Sequence, residues 1–214
     1  MKPNLADLRK SYDKGSLEIN AVIDHPLNLF ETWFKEAEQS DFIEEANAMT
    51  LSTLGKSGFP KSRVVLLKGF SEEGFVFFTN YESEKGRSML RNPKAGITFF
   101  WPSLERQIII KGNAEKISSA RSDDYFNSRP RGSQLGALAS PQSSVIPNRQ
   151  FLQDRLAALM DEYQNKPIPR PDHWGGIVVK PVQIEFWQGR PNRLHDRISC
   201  QLINKVWKSE RLAP

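Results

Sequence analysis

Near the start of the chain, apolar residues recur at the spacing of a helix. The clearest stripe consists of Leu27, Phe30, Trp33, Phe34 and Ala37. This spacing predicts an amphipathic helix over Pro26–Gln39, with Pro26 in the first turn, where its missing N–H has no partner to lose. A shorter stripe of Leu5, Leu8 and Tyr12 predicts a second, loosely attached helix over residues 3–14.

From residue 47 the pattern changes to short β-rich runs separated by turns, which is typical of an antiparallel meander. The predicted strands are Ala48–Leu54, Ser62–Phe70, Phe75–Asn80, Ala95–Trp101, Arg106–Ile117, Gly176–Lys180, Gln183–Gln188, Arg193–Leu202 and Lys205–Lys208. Helical patterns cover Ser83–Arg91, Ser119–Ser128 and Asn148–Asn165, and a polar loop is predicted over Arg131–Pro147. The absence of βαβ alternation favours a mainly β (α+β), barrel-like antiparallel fold.

Composition narrows the class of protein. No apolar run reaches the roughly 20 residues of a membrane span, and the N-terminal residues lack the apolar core of a signal peptide. The single cysteine, Cys200, excludes an intramolecular disulfide and favours a cytoplasmic location. The three histidines are far apart, which predicts no metal site. The net charge of +5 is spread along the chain, which favours a small anionic ligand over nucleic acid.

A cationic run lies near the C-terminus. In an extended strand, alternation would place Arg193, His195 and Arg197 on one face. Arginine binds phosphate or carboxylate with a planar fork of donors, so this face suits an anionic ligand. The alternative is a solvated polar strand face.

A second candidate surrounds a predicted junction between strand and helix. Thr79, Ser83 and Lys85 place hydroxyls, backbone N–H groups and a cation at a helix N-terminus, an arrangement that cradles phosphate. The alternative is an ordinary capped helix. Upstream, alternation puts Arg63 and Lys68 on opposite faces of a strand, unless a β-bulge changes the register.

A third candidate combines Tyr125, Arg129 and Ser133. Tyr125 and Arg129 are four residues apart and therefore neighbours on one helix face, and Pro130 ends or bends that helix before Ser133. These side chains can donate to one phosphate, although a helix C-terminus with arginine facing the dipole is the alternative. Residues able to contact a heterocycle are Gln107, Gln142, Ser143 and Trp187.

Together these clusters resemble the pyridoxine (pyridoxamine) 5′-phosphate oxidase family over nearly the whole chain. The resemblance is carried, in the family's order, by Leu8–Tyr12, Arg63–Lys68, Phe78–Asn80, Glu105–Gln107, Tyr125–Gln134, Gln142–Ser144, Trp174–Gly176, Ile184–Gly189, Arg193–Arg197 and Arg211–Pro214.

The resemblance implies a homodimer with an antiparallel split β-barrel, flanking helices and FMN in the subunit interface. It implies oxidation of pyridoxamine 5′-phosphate and pyridoxine 5′-phosphate to pyridoxal 5′-phosphate, with hydride transfer to FMN and reoxidation by dioxygen to give hydrogen peroxide. Residues 46–214 would form the FMN-binding domain, and residues 1–45 a helical segment that is partly a mobile lid. Neither nucleic acid nor membrane is an implied partner.

The family's functional positions map onto this sequence one by one. Those that match FMN-binding residues are Arg63, Lys68, Phe78, Thr79, Lys85, Gln107, Gln142, Ser143, Trp187 and Arg197. Those that match residues holding the substrate phosphate are Lys68, Tyr125, Arg129 and Ser133. Arg193 and His195 match catalytic residues that hold the pyridine ring against the flavin. Arg9 and Tyr12 match a segment that folds over the substrate.

One position departs from the family, which usually has arginine where this chain has Glu84. Glu84 could point to solvent, FMN could bind more weakly, or Arg87 could supply the missing cation. Two other functions stay open at this point. One is a flavin split-barrel reductase with a nicotinamide donor, against which the set of Tyr125, Arg129 and Ser133 and the pair of Arg193 and His195 argue. The other is a basic nucleic-acid-binding barrel, against which the apolar stripes of aromatic residues argue.

Overall fold

A computed structural model describes residues 5, 8, 10–22 and 25–214. Within these residues the α-helices are α1 (Pro26–Glu38), α2 (Glu84–Arg91), α3 (Ser119–Ser128), α4 (Arg131–Ala139) and α5 (Arg149–Glu162). The strands are β1 (Ala48–Leu54), β2 (Pro60–Leu66), β3 (Gly69–Ser71), β4 (Gly74–Asn80), β5 (Lys94–Trp101), β6 (Arg106–Lys116), β7 (Trp174–Gln188), β8 (Asp196–Ile203) and β9 (Val206–Leu212).

The strands form one hydrogen-bonded sheet. Its order is β2-β1-β5-β6-β7-β4-β3, and β8 pairs with both β7 and β9. The pairs β3–β4, β4–β7, β7–β8 and β8–β9 are antiparallel. The prediction of a mainly β, antiparallel fold is therefore confirmed.

The chain divides into two compact units. The first comprises the described part of residues 1–50 with Gly96–Lys111 and Pro181–Pro214. Helix α1 closes its core, since the fully buried Phe30 meets Phe99 edge to face at 5.3 Å between ring centroids. Trp33 on the same helix meets Phe186 at 5.4 Å. These contacts confirm that the stripe on α1 is core.

The second unit comprises Leu51–Ala95 and Gly112–Lys180. Strands β4 and β7 pair within this unit, where Phe77 lies opposite Ile177 and both side chains are buried. Phe126 of α3 and Leu135 of α4 belong to one buried cluster with Trp174. Helices α3 and α4 therefore pack on the start of β7.

Gly175 in β7 offers a stability prediction, because an added Cβ would overlap the Tyr81 hydroxyl and lie 2.9 Å from Ser122 Oγ. Overpacking of this kind costs about 1–3 kcal/mol, so Gly175→Ala should lower the free energy of urea unfolding by that amount. In the control Gly132→Ala, the added Cβ meets nothing within 4 Å. An unchanged midpoint for Gly175→Ala would contradict the packing described.

Several local predictions are wrong. The predicted strand Ser62–Phe70 is divided between β2 and β3, and the predicted strands Gly176–Lys180 and Gln183–Gln188 are joined in β7. Two further errors arise from tertiary contacts or backbone torsions. The predicted loop after residue 130 contains helix α4, whose Leu135 and Ala139 are buried one turn apart and outweigh its glycine and serine content. The strand predicted from Arg193 begins at Asp196, because Asn192 and Arg193 adopt left-handed φ values of 57° and 62°. Arg193 and His195 therefore lie before β8, and the predicted strand face that they would share with Arg197 does not form.

The N-terminal prediction is tested only in part. The helix predicted over residues 3–14 is absent from residues 10–14, and much of the rest lies outside the described residues. The division into a lid and a barrel domain at residue 46 stays a prediction. Among the described helices, none has the length and apolar character needed to cross a membrane. The searched residues also contain no His, Cys, Asp and Glu cluster that could hold a metal ion.

Candidate active site

The second unit contains a cavity of about 570 Å³, here called the cationic pocket. The residues predicted for cofactor or substrate that line it are Arg63, Lys68, Phe78, Thr79, Lys85, Tyr125, Arg129, Ser133 and Gln142. They come from β2, β4, α2, α3, α4 and the connections after β2, α3 and α4. The structure thus brings together the second and third candidate clusters.

Lys85 marks one end of the cationic pocket. It lies in the first turn of α2, which begins after the N-cap Ser83, whose hydroxyl accepts the Gly86 N–H at 3.2 Å. Lys85 Nζ lies 3.3 Å from Thr79 Oγ1 and 3.5 Å from Gln142 Oε1. Burial lowers the pKa of Lys85, and the charge of Arg63 lowers it further. A bound anion would relieve both effects.

Arg63 projects from β2 beside this end. Its Nη1 donates to Thr53 Oγ1 at 2.7 Å and to the Leu51 carbonyl at 3.2 Å. Burial lowers the pKa of Arg63, an effect that the nearby Glu84 partly opposes. The guanidinium is therefore held in place by neutral acceptors, and Glu84 compensates its charge only in part.

Arg129 marks the other end, above three nearly parallel aromatic rings. Phe78 stacks on Tyr125 at 3.7 Å and on Trp174 at 5.5 Å. The guanidinium of Arg129 lies over the Trp174 ring, 4.5 Å from its centroid. Its buried Nη1 has no hydrogen-bond partner among the described residues, and burial lowers the pKa of Arg129. An unsatisfied buried donor of this kind needs an acceptor.

The first unit holds a separate aromatic cluster of Tyr12, Trp187 and His195. The Trp187 and His195 ring centroids are 4.7 Å apart, and Tyr12 meets His195 at 5.8 Å. His195 Nδ1 accepts the Arg190 backbone N–H at 3.1 Å. The neutral imidazole consequently carries its proton on Nε2.

The remaining predicted residues lie elsewhere. Arg197 donates from Nε to Glu185 Oε1 at 2.9 Å and from Nη1 to the Ala213 carbonyl at 2.7 Å. Arg193 is exposed in the turn before β8, and Ser143 is exposed in a turn with a φ of 70°. Gln107 is half-buried in β6, and Arg9 lies outside the described residues.

Sequence reasoning assigned no role to Trp174 or Glu185. The Trp174 ring packs against the guanidinium of Arg129. In the sequence, only its place in the Trp174–Gly176 motif pointed to a functional role. Glu185 pairs with Arg197. In the sequence, its place two residues before Trp187, and therefore on the same strand face, was the signal that could have pointed to it. At the position that departs from the family, the half-exposed carboxylate of Glu84 binds Lys61 Nζ at 2.5 Å.

The Glu84–Lys61 pair predicts a small effect on anion binding in the cationic pocket. Arg87 lines a different cavity of the second unit together with Glu84, which argues against its replacing the arginine that the family usually has at position 84. An exposed pair is screened by water and contributes little. Glu84→Gln should therefore tighten the binding of added FMN, the anion that the family resemblance implies, by less than about tenfold, measured by quenching of flavin fluorescence. Tightening by several hundredfold would mean that Glu84 faces the bound phosphate.

Comparisons with known proteins show which family this chain resembles over its whole length. The pyridoxamine 5′-phosphate oxidase family matches residues 36–160, and a pyridoxine 5′-phosphate oxidase C-terminal dimerisation region matches residues 174–214. The pyridoxine/pyridoxamine 5′-phosphate oxidase of Christiangramia forsetii is 56% identical over 214 residues, all of both chains. That of Synechocystis sp. is 54% identical, covering 99% of this chain and 98% of the relative.

Solved structures show the same fold. The crystal structure of PhzG from Burkholderia lata, in complex with tetrahydrophenazine-1-carboxylic acid, superposes with a TM-score of 0.88 at 27% identity. The superposition covers 96% of this chain and 100% of that one. A pyridoxamine 5′-phosphate oxidase-related, FMN-binding protein from Nostoc punctiforme has a TM-score of 0.68 at 19% identity and covers 87% of this chain and 96% of that one.

The fold is a split barrel, which confirms the predicted fold class, and the full-length relatives make the protein a split-barrel oxidoreductase. Within that class, the chain belongs to the pyridoxamine 5′-phosphate oxidase family. The family and the enzyme class implied by the resemblance are therefore confirmed.

Proposed function

We propose that this chain oxidises pyridoxamine 5′-phosphate and pyridoxine 5′-phosphate to pyridoxal 5′-phosphate, with FMN as cofactor and dioxygen as final acceptor. The observation that carries the proposal is the buried Nη1 of Arg129, which has no hydrogen-bond partner in the described part of the chain and lies in a pocket of about 570 Å³ with Arg63 and Lys85. The names of the full-length relatives supply the substrates.

The donor set of the cationic pocket fits the phosphate of FMN. Lys85 is a desolvated cation beside the hydroxyl of Thr79 and the amide of Gln142, and Arg63 adds a second cation. When bound, FMN supplies the hydride acceptor that dioxygen reoxidises with release of hydrogen peroxide. Further proposed FMN contacts are Lys68, Phe78, Gln107, Ser143, Trp187 and Arg197.

The Arg129 end suits the phosphate of the substrate. Arginine donates a planar pair of hydrogen bonds to phosphate oxygens, and the guanidinium of Arg129 is held over the Trp174 ring, 4.5 Å from its centroid. Tyr125, Ser133 and Lys68 line the same pocket and add donors. Preorganised donors lower the entropy lost on binding.

The pyridine ring is proposed to meet the aromatic cluster. His195 is oriented by the Arg190 N–H at Nδ1, so its Nε2–H points as a donor at a fixed angle. Arg193 would act beside it, and Tyr12 and Arg9 would cover the substrate. Since the C-terminal region matches a dimerisation region, the proposed assembly is a homodimer with FMN at the interface. The single, buried Cys200 suits the proposed cytoplasmic location.

An oxidase assay with added FMN tests the proposal. Pyridoxamine 5′-phosphate with dioxygen and water should yield pyridoxal 5′-phosphate, ammonia and hydrogen peroxide in equal amounts. Pyridoxamine without its phosphate should be a far weaker substrate, because Arg129 then has no acceptor. Consumption of NADH or NADPH without peroxide from either vitamer phosphate would instead support a nicotinamide-dependent flavin reductase.

A further inference from the structure

The first unit contains a buried carboxylate that the proposed chemistry does not use. Glu105 is 1% exposed and lies in the turn between β5 and β6 at a left-handed φ of 55°. Its Oε2 accepts the backbone N–H groups of Asp13 at 2.8 Å and Lys14 at 3.0 Å. Lys10 Nζ lies 3.7 Å from Oε1. A buried carboxylate held this way is a strong, charge-assisted anchor.

Residues 10–18, here called the strap, have further attachments to the first unit. Lys14 Nζ donates to the Ser103 carbonyl at 2.7 Å. Arg190 Nη1 donates to the Gly15 carbonyl at 2.9 Å, and the Leu17 N–H donates to Asp196 Oδ2 at 3.0 Å. The strap contains no helix, so these contacts, rather than local structure, determine its path.

Tyr12 directly precedes the two N–H groups that Glu105 binds. Its ring meets Trp187 at 5.7 Å, nearly perpendicular, and His195 at 5.8 Å. Gly189 provides the space, because an added Cβ would lie 2.7 Å from Tyr12 Cγ. The Gly189 N–H in turn donates to the Glu105 carbonyl at 2.8 Å. Glu105 therefore holds two segments beside Tyr12: its carboxylate binds the strap, and its carbonyl accepts the Gly189 N–H.

We infer that Glu105 is a positioning residue for substrate binding, since its carboxylate anchors the strap and so holds Tyr12 against His195. This inference rests on the proposed function, which places the substrate ring at His195. Without the carboxylate, two backbone N–H groups lose a charged acceptor, and Tyr12 is no longer held in place. Glu105 acts through Tyr12 and touches no reacting atom.

Limited trypsin digestion of the full-length holoenzyme tests the anchor independently of activity. Cleavage after Lys10 and Lys14, followed by mass spectrometry, should be about tenfold faster in Glu105→Ala, because the strap detaches more often once its acceptor is removed. Glu105→Gln keeps size and one acceptor oxygen, so roughly threefold is expected. Glu31→Ala removes an exposed carboxylate from α1 and should leave both cleavage rates unchanged.

Kinetics test the positioning role. Glu105→Ala should raise the KM for pyridoxamine 5′-phosphate about tenfold and leave the FMN dissociation constant unchanged. Tyr12→Ala should raise KM similarly, and the double variant should be no worse than either, because both changes remove one interaction. Gly189→Ala keeps the Glu105 carboxylate but adds a Cβ that would lie 2.7 Å from Tyr12 Cγ and 3.1 Å from Glu105 Cβ. It should reproduce the rise in KM.

Each of these measurements has a result that would overturn the anchor or the positioning role of Glu105. Unchanged tryptic cleavage in Glu105→Ala would overturn the anchor, and faster cleavage with an unchanged KM would overturn the positioning role. Additive effects of Glu105→Ala and Tyr12→Ala would also overturn it. If Glu105→Ala does not fold, Glu105→Gln and Gly189→Ala carry the same tests. Wild-type protein without oxidase activity would refute the proposed function. The rates of tryptic cleavage would still test whether Glu105 anchors the strap.

Discussion

Replacing Arg129 with leucine should raise the KM for pyridoxamine 5′-phosphate about a hundredfold, while the fold keeps its stability. The hydrogen bonds of a guanidinium to phosphate contribute about 3 kcal/mol, which corresponds to that factor. Arg129 is the donor that the cationic pocket leaves unsatisfied, since its buried Nη1 has no partner among the described residues. Steady-state kinetics with the phosphorylated substrate measures the effect.

The stability of Arg129→Leu distinguishes a ligand-binding arginine from a structural one. Leucine gives up the contact over the Trp174 ring, which costs about 0.5–1 kcal/mol. It also removes a desolvated, unpaired donor, which offsets that loss. The free energy of urea unfolding should therefore change by less than about 1 kcal/mol.

Arg121→Leu is the matched control for Arg129→Leu. Arg121 lies on the same helix, α3, but forms an exposed pair with Glu73. The Arg121→Leu variant should keep the wild-type KM, and its free energy of unfolding should change by less than about 0.5 kcal/mol. If Arg129→Leu lost several kcal/mol of stability and kept its KM, Arg129 would be a structural residue.

Replacing Lys85 with methionine should weaken FMN binding about a hundredfold, the loss expected when a buried phosphate contact to a cation is removed. Lys85 is the cation at the N-terminal turn of α2, beside Thr79 and Gln142. Flavin fluorescence quenching measures the dissociation constant. Lys180→Met, which breaks an exposed pair with Glu115, should leave it unchanged.

The pH dependence of FMN binding gives Lys85 a second signature. Burial and the charge of Arg63 lower the pKa of Lys85, so its amine loses its proton at a lower pH than an ordinary lysine does. Only the protonated amine attracts phosphate, so FMN affinity should be full below this lowered pKa and should fall as pH rises through it. In Lys85→Arg the guanidinium stays charged, and that fall should disappear. An identical pH profile in Lys85→Arg would assign the titration to another group.

Local patterns predicted much of this molecule. The stripe on α1 predicted a helix that covers Pro26–Glu38, and the helix predicted over Ser83–Arg91 is α2, which begins after its N-cap Ser83. These features depend on neighbours within a few residues, which a single sequence displays. The residues of the cationic pocket were predictable one cluster at a time because each cluster is local in the chain.

The features that were missed depend on distant residues or on backbone torsions. Helix α4 forms because Leu135 packs with Trp174, 39 residues later in the chain. The anchor from Glu105 to Asp13 joins residues 92 positions apart. The late start of β8 follows from the left-handed torsions of Asn192 and Arg193, which residue types alone do not reveal.

The central claim is that the phosphorylated vitamer reduces a flavin bound by this chain. The most direct measurement mixes the FMN-loaded enzyme with pyridoxamine 5′-phosphate in the absence of dioxygen and follows the visible flavin absorption. The account predicts rapid bleaching that admission of air reverses, with hydrogen peroxide formed in the same amount as pyridoxal 5′-phosphate. A flavin that neither vitamer phosphate bleaches, but that NADH or NADPH does, would contradict it.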